Sequence, residues 1–100
     1  MKNSSSIEPQ FIISEELNTI HFERVFPVFN ILQKTSLIQK IFTAIMNGQT
    51  SHTKANVTFN TEEGYKKVQS VILSKNNDWL MLKGGKYIPI QSILNVEIHH

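Results

Sequence analysis

The hydrophobic period changes once along this chain, near residue 50, and that change limits the folds open to it. In PVFNILQKTSLIQKIFTAIMNG, residues 27–48, the residues Val28, Ile31, Leu32, Thr35, Ile38, Ile41, Phe42 and Ile45 recur at helical spacing. They form one stripe, the signature of an amphipathic helix. Pro27 suits a first turn, where its missing N–H costs nothing, and Asn47-Gly48 reads as the C-terminal stop. QTSHTKAN then follows as a polar linker.

From residue 55 the period is two. Val57 and Phe59 share one side of NVTFN, and YKKVQSVIL sets Val68, Ser70 and Ile72 against Tyr65, Gln69, Val71 and Leu73. DWLMLK, KYIPI and ILNVEI complete five strands, separated by TEEG, SKNND, GG and PIQS, all rich in turn formers. A meander this small curls to hide its edges. Trp79-Leu80-Met81-Leu82 is apolar on both faces, so a second layer must cover it: the helix ending near Met46, or another copy of the chain. Trp79, between apolar neighbours, reads as core. The expected fold is α+β, an N-terminal helical segment packed on a C-terminal five-stranded antiparallel curled sheet or small barrel.

The segment FIISEELNTIHFERVF, residues 11–26, fits two descriptions. Ser14 before Glu15 and Glu16 suits a helix N-terminus, and Leu17, Ile20 and Arg24 follow at helical spacing. Ile20, Phe22, Arg24 and Phe26 also alternate as in a strand. The capping pattern favours helix. Residues 1–10, with three serines and a proline, read as a disordered tail. Residues 11–100 read as one domain, mainly helical over 11–48 and a β meander over 55–98.

The run DWLMLKGGKYIPIQSILNVEI resembles the last three strands of small SH3-like or Sm-like β-barrels. In those barrels a hairpin leads into a one-turn helix, here Ile90 to Ser92, and then a closing strand. The resemblance covers about 45 residues and rests on pattern. Such barrels in bacteria include RNA binders, peptide binders and many domains of unassigned role, so the resemblance bears on the fold and little on function.

Composition removes several chemistries. The chain has 100 residues, enough for one modest core, and no cysteine. Disulfides, thiolate metal sites and cysteine nucleophiles are therefore absent, which suits a reducing compartment. MKNSSSIEPQ lacks the apolar stretch of a signal peptide, and no run approaches the ~20 apolar residues of a membrane span. A soluble cytoplasmic protein that does not contact membranes is expected. Net charge is +2. Residues 1–50 hold four basic and four acidic side chains, and residues 51–100 hold six lysines against four acids. The excess sits in the C-terminal half and is small for a nucleic-acid binder.

Lys83-Gly84-Gly85-Lys86 invites a phosphate-loop reading, but that loop must be longer and must open a helix. Here the glycines lie between strand-like runs, where they supply the positive φ angles of a two-residue hairpin turn. The flanking lysines, with Lys66 and Lys67 from another strand, could still form a nucleic-acid patch. Tyr65, Tyr87 or Trp79 would be available for base stacking. The plainer reading is that these lysines solubilise strand edges.

No metal site, cofactor or enzymatic centre is expected. His99 and His100 adjoin Glu97, but a terminal pair has no partners to orient it, and such a pair also fits the start of an affinity tag. His21 and His52 lie far apart. Ser70, Ser74 and Ser92 lack the context of an activated nucleophile. Asp78 reads as a turn former, and Glu62-Glu63 as solvated turn residues pointing apart. Phe22, Val25, Phe26 and Phe29 add more aromatic surface than one small sheet covers, which suggests self-association through the N-terminal half. The leading expectation is a non-enzymatic intracellular binding or assembly module that self-associates or takes a protein partner. The alternative is nucleic-acid binding through Lys66, Lys67, Lys83 and Lys86.

Overall fold

In a computed structural model the structure describes residues 9–22 and 31–99. Its elements run β1 (Gln10–Ile12), a 3-10 helix (Ser14–Thr19), α1 (Ile31–Ser51), β2 (Ala55–Thr61), β3 (Gly64–Ser70), β4 (Ile72–Lys75), β5 (Trp79–Leu82) and β6 (Lys86–Pro89). A one-turn 3-10 helix (Ile90–Ser92) and β7 (Ile93–Ile98) complete the chain. The architecture is α+β, but the strands form two sheets rather than one curled sheet. A four-stranded sheet has the order β1-β3-β2-β7, and a three-stranded sheet the order β4-β5-β6.

The expected single strand over 65–73 is what divides. Pairing with β2 ends at Ser70, Val71 lies outside both ladders, and Ile72 begins pairing with β5. The chain thus bends from one sheet into the other with its inward alternation intact, since Val68, Ser70 and Ile72 are all buried. The 3-10 turn at Ile90–Ser92 makes the second transfer, held by Ser92 Oγ donating to the Pro89 carbonyl at 2.8 Å. β6 and β7 do not pair, so the two sheets do not close into a barrel.

The core lies between the inner faces. Val57, Phe59, Val68 and Val96 come from the larger sheet, and Ile72, Leu80, Leu82 and Ile88 from the smaller. Leu17 enters from the 3-10 helix, and Leu37, Ile41 and Ala44 from α1. Each fully buried apolar side chain of this size contributes about 1.5–3 kcal/mol. α1 packs against β7 and β4, one strand from each sheet, and the N-terminal 3-10 helix packs against β6.

The N-terminal segment departs from the helix favoured for 11–26. Residues 10–12 form a strand parallel to β3, with Ile12 directed onto Val68, and Gln10 already pairs with Lys66. Ser14 lies inside the 3-10 helix, whose N-cap is Ile13 with no side-chain cap. Pairing with β3, a partner distant in sequence, gives residues 10–12 a strand conformation that the local capping pattern does not signal. Phe22 forms a bridge with Thr61. Residues 1–8, which include most of the expected tail, and Arg24, Val25, Phe26, Pro27, Val28 and Phe29 lie outside the described residues.

α1 does not stop at Gly48. It runs to Ser51 and ends where His52 adopts φ 54°, with the His52 N–H donating to the Gly48 carbonyl at 3.1 Å. That is a left-handed helix end with a histidine where glycine is usual. Gly48 has another task. A Cβ there would lie 2.6 Å from the Ile72 carbonyl oxygen, so its bare backbone is what lets α1 seat on β4.

Candidate binding surfaces

Among the described residues, exposed large apolar side chains gather on α1 and on the outer face of the smaller sheet, with Phe11 and Ile13 exposed on and beside β1. The first group is on α1. Leu37, Ile41 and Ala44 are buried, but the adjoining part of the stripe is not. Ile38, Phe42 and Met46 recur at four-residue steps beside the buried face, with Leu32 at its margin. Leu32 is 80 % exposed, Phe42 52 % and Met46 65 %. The expected single stripe is therefore half core and half surface. The Lys75 ammonium lies 5.5 Å from the Phe42 ring centroid, a cation–π contact tying this face to β4.

The second surface is the outer face of the smaller sheet. Trp79 is 44 % exposed, against the expectation that it is core. Of the two covers expected for the second face of residues 79–82, the helix and another copy of the chain, the helix does not supply it. Instead α1 lies on β7 and β4, which leaves Trp79 and Tyr87 in solvent contact. Their ring centroids are 6.3 Å apart and their planes are 79° from parallel, an edge-to-face pair.

The four candidate lysines do not act as one group. Lys66 is on the inner side of β3 and is buried. Its ammonium donates to Gln10 Oε1 and lies 3.6 Å from the Glu63 carboxylate, so its stem packs inward while its charge meets two local acceptors. Lys67, next in sequence, faces the opposite way and covers the Phe11 ring at 5.3 Å. Lys83 and Lys86 stand on the other sheet. Lys83 is exposed and Lys86 half-buried. The turn between β5 and β6 spans three residues, Lys83 to Gly85, with Gly84 at φ 90° and Gly85 at φ 74°. The glycines do serve a hairpin, although it is one residue longer than the two-residue turn expected.

Phe22 is half-buried with its ring centroid 5.7 Å from that of Phe59, so this aromatic belongs to the core margin. His21 and His52 are exposed. His99 is exposed and donates its N–H to the Lys54 carbonyl at 2.9 Å, while His100 lies outside the described residues. Among the described residues, no three His, Asp or Glu side chains converge as a metal site. Ser70 and Ser92 are buried and bonded to neighbouring carbonyls. Asp78 does not shape its own turn. Asn76 does, its Oδ1 accepting from the Asp78 and Trp79 amides at 2.8 and 2.7 Å.

One feature escaped the sequence reading. An open groove of about 600 Å³ runs between α1 and β7, bordered by Ser36, Gln39, Lys40, Thr43 and Glu97. Lys40 Nζ crosses its wall to donate to Asn95 Oδ1 at 3.1 Å. Polar residues at helical spacing opposite a strand were the available signal, but the pairing of α1 with β7 could not be read from either segment alone. No protein family, curated protein or solved structure matches the chain. Among the described residues no helix is long and apolar enough to cross a membrane.

Proposed function

We propose that this domain is a non-enzymatic assembly module that self-associates through the outer face of α1. The observation that supports this reading is the row Ile38, Phe42 and Met46, apolar side chains left exposed at four-residue steps on one side of a 21-residue helix. Exposed apolar side chains in contiguous rows are what interfaces cover, and single scattered ones are not. Phe42 and Met46 are the natural anchors, since aromatic and Met side chains dominate interface cores. The helix contains Lys34 and Lys40 and no acid, and neither lysine interrupts the Ile38–Phe42–Met46 row.

Sedimentation velocity over a wide concentration range tests the reading. The chain should dimerise or assemble further as concentration rises. Phe42→Asp should weaken association about 10-fold or more while leaving the fold intact, because truncating an interface anchor costs upwards of ~2 kcal/mol. A protein that stays monomeric at millimolar concentration refutes it.

A further inference from the structure

A second surface supports a separate inference, independent of self-association. We propose that Trp79 and Tyr87 form a stacking platform for single-stranded nucleic acid, with Lys83 as a phosphate contact at one end. Along β5, Leu80 and Leu82 point into the core, so Trp79 and Met81 point outward. The Lys83 N–H donates to the Val71 carbonyl at 2.9 Å. Lys83 opens the turn that follows β5, and its side chain is exposed at that end of the sheet. On β6, Tyr87 lies opposite Met81 and Pro89 opposite Trp79. One face thus holds two exposed rings, a thioether and a proline, with an ammonium at the hairpin end. The two rings alone border an open apolar recess of about 270 Å³.

The smaller sheet, residues 72–89, holds three lysines, Lys75, Lys83 and Lys86, against one acid, Asp78, whereas Lys66 and Lys67 belong to the other sheet. Lys66 donates to Gln10 Oε1 near the Glu63 carboxylate, and Lys75 sits over Phe42. Lys83 and Lys86, on the platform's own hairpin, have neither arrangement. An edge-to-face ring pair leaves ring faces open to a third flat partner. A nucleobase supplies that partner and its phosphate supplies the anion for Lys83, whereas an apolar peptide would use the rings and leave the ammonium without a counterpart. Stacking tolerates any base, because every base has a π face, so the preference is for single strands over duplexes.

Trp79 is the chain's one tryptophan, so its intrinsic fluorescence reports the site directly. The probe is an oligothymidylate of about 12 nucleotides, within the range such grooves accommodate. Saturable quenching is expected, with the affinity falling several-fold between about 50 and 200 mM salt as phosphate contacts are screened. Tyr87→Ala should weaken binding about 5-fold or more, the loss of one base stack, and Tyr87→Phe should restore it. Lys83→Ala should flatten the salt dependence. Far-UV circular dichroism of each variant should match the parent, since Lys83 and Tyr87 are both exposed. The proposal is overturned by the absence of quenching at low salt. It is equally overturned by a duplex binding as tightly as the single strand, by indifference to Tyr87→Ala, or by a proline-rich peptide quenching where the oligonucleotide does not. The same titration on the Phe42→Asp variant separates this outcome from that of the self-association test.

Discussion

Replacing Gly48 by alanine sets two known effects against each other, and the structure decides the sign. In an exposed helix interior alanine is favoured over glycine by about 1 kcal/mol. Gly48 is the fourth residue from the end of α1 and helical on both sides, so propensity alone forecasts stabilisation. Its surroundings forecast the opposite. An alanine Cβ would sit 2.6 Å from the Ile72 carbonyl oxygen and 3.1 Å from Val71 Cγ1. The Val71 methyl can give way, but the Ile72 carbonyl belongs to the backbone at the bend between the sheets. Relief therefore requires α1 to lift off β4 by a sizeable fraction of an ångström. That movement also strains the Gln49 Nε2 bond to the Leu73 carbonyl, 3.2 Å long, and the Phe42–Lys75 contact. Overpacking of this kind costs about 1–3 kcal/mol. After the propensity gain is subtracted, Gly48→Ala should destabilise by up to about 2 kcal/mol, a fall in Tm of up to roughly 15 °C for a domain of this length. Urea and thermal melts followed by circular dichroism measure it. An alanine variant as stable as the parent, or more so, would mean that α1 does not rest on β4 at this point, and the seating of the helix would need to be redrawn.

Other perturbations test the remaining contacts. Phe59→Ala removes a fully buried ring from the centre of the larger sheet and its contact with Phe22; a loss of about 3–5 kcal/mol is expected in urea melts. Asn76→Ala leaves two turn amides without their acceptor and should cost about 1–2 kcal/mol, while Asn76→Asp, which keeps the acceptor, should cost less. Glu63→Gln should change stability by less than about 0.5 kcal/mol, because the Glu63 side chain is almost wholly in solvent and surface ion pairs contribute little. A large Glu63 effect would show that the Lys66 charge depends on that carboxylate rather than on Gln10.

The sequence carried the switch of period, the long helix, the strand runs over 55–98 and the glycine hairpin, because each depends on residues close in the chain. What it did not carry depends on partners far away. β1 exists because β3 offers it a ladder, and nothing in Gln10-Phe11-Ile12 announces a parallel mate 56 residues downstream. Gly48 looks like a helix stop in isolation, and its role becomes visible only with the Ile72 carbonyl beside it. Val71 is an ordinary member of an alternating run until the two ladders on either side of it are known to belong to different sheets. Lys66 and Lys67 are equivalent in sequence, yet one faces inward beside Glu63 and the other outward over Phe11.

The candidate surfaces escaped sequence reading for a related reason. Hydrophobic periodicity reports which residues avoid water in some assembled state, and it does not separate burial within one chain from burial against something else. The α1 stripe is continuous in sequence, but two small sheets offer it only the β7 and β4 sides, and Leu37, Ile41, Ala44 and Gly48 already fill them. Leu32, Ile38, Phe42 and Met46 are then left over. Trp79 and Tyr87 are left over in the same way, because a helix seated on β4 does not reach β5 and β6. Both exposed surfaces thus follow from one geometric fact: the chain has one described α-helix and two sheets to cover. The two surfaces share no side chain: one is Ile38, Phe42 and Met46 on α1, the other Trp79 and Tyr87 on β5 and β6. The self-association reading and the stacking platform can therefore be tested, and can fail, independently.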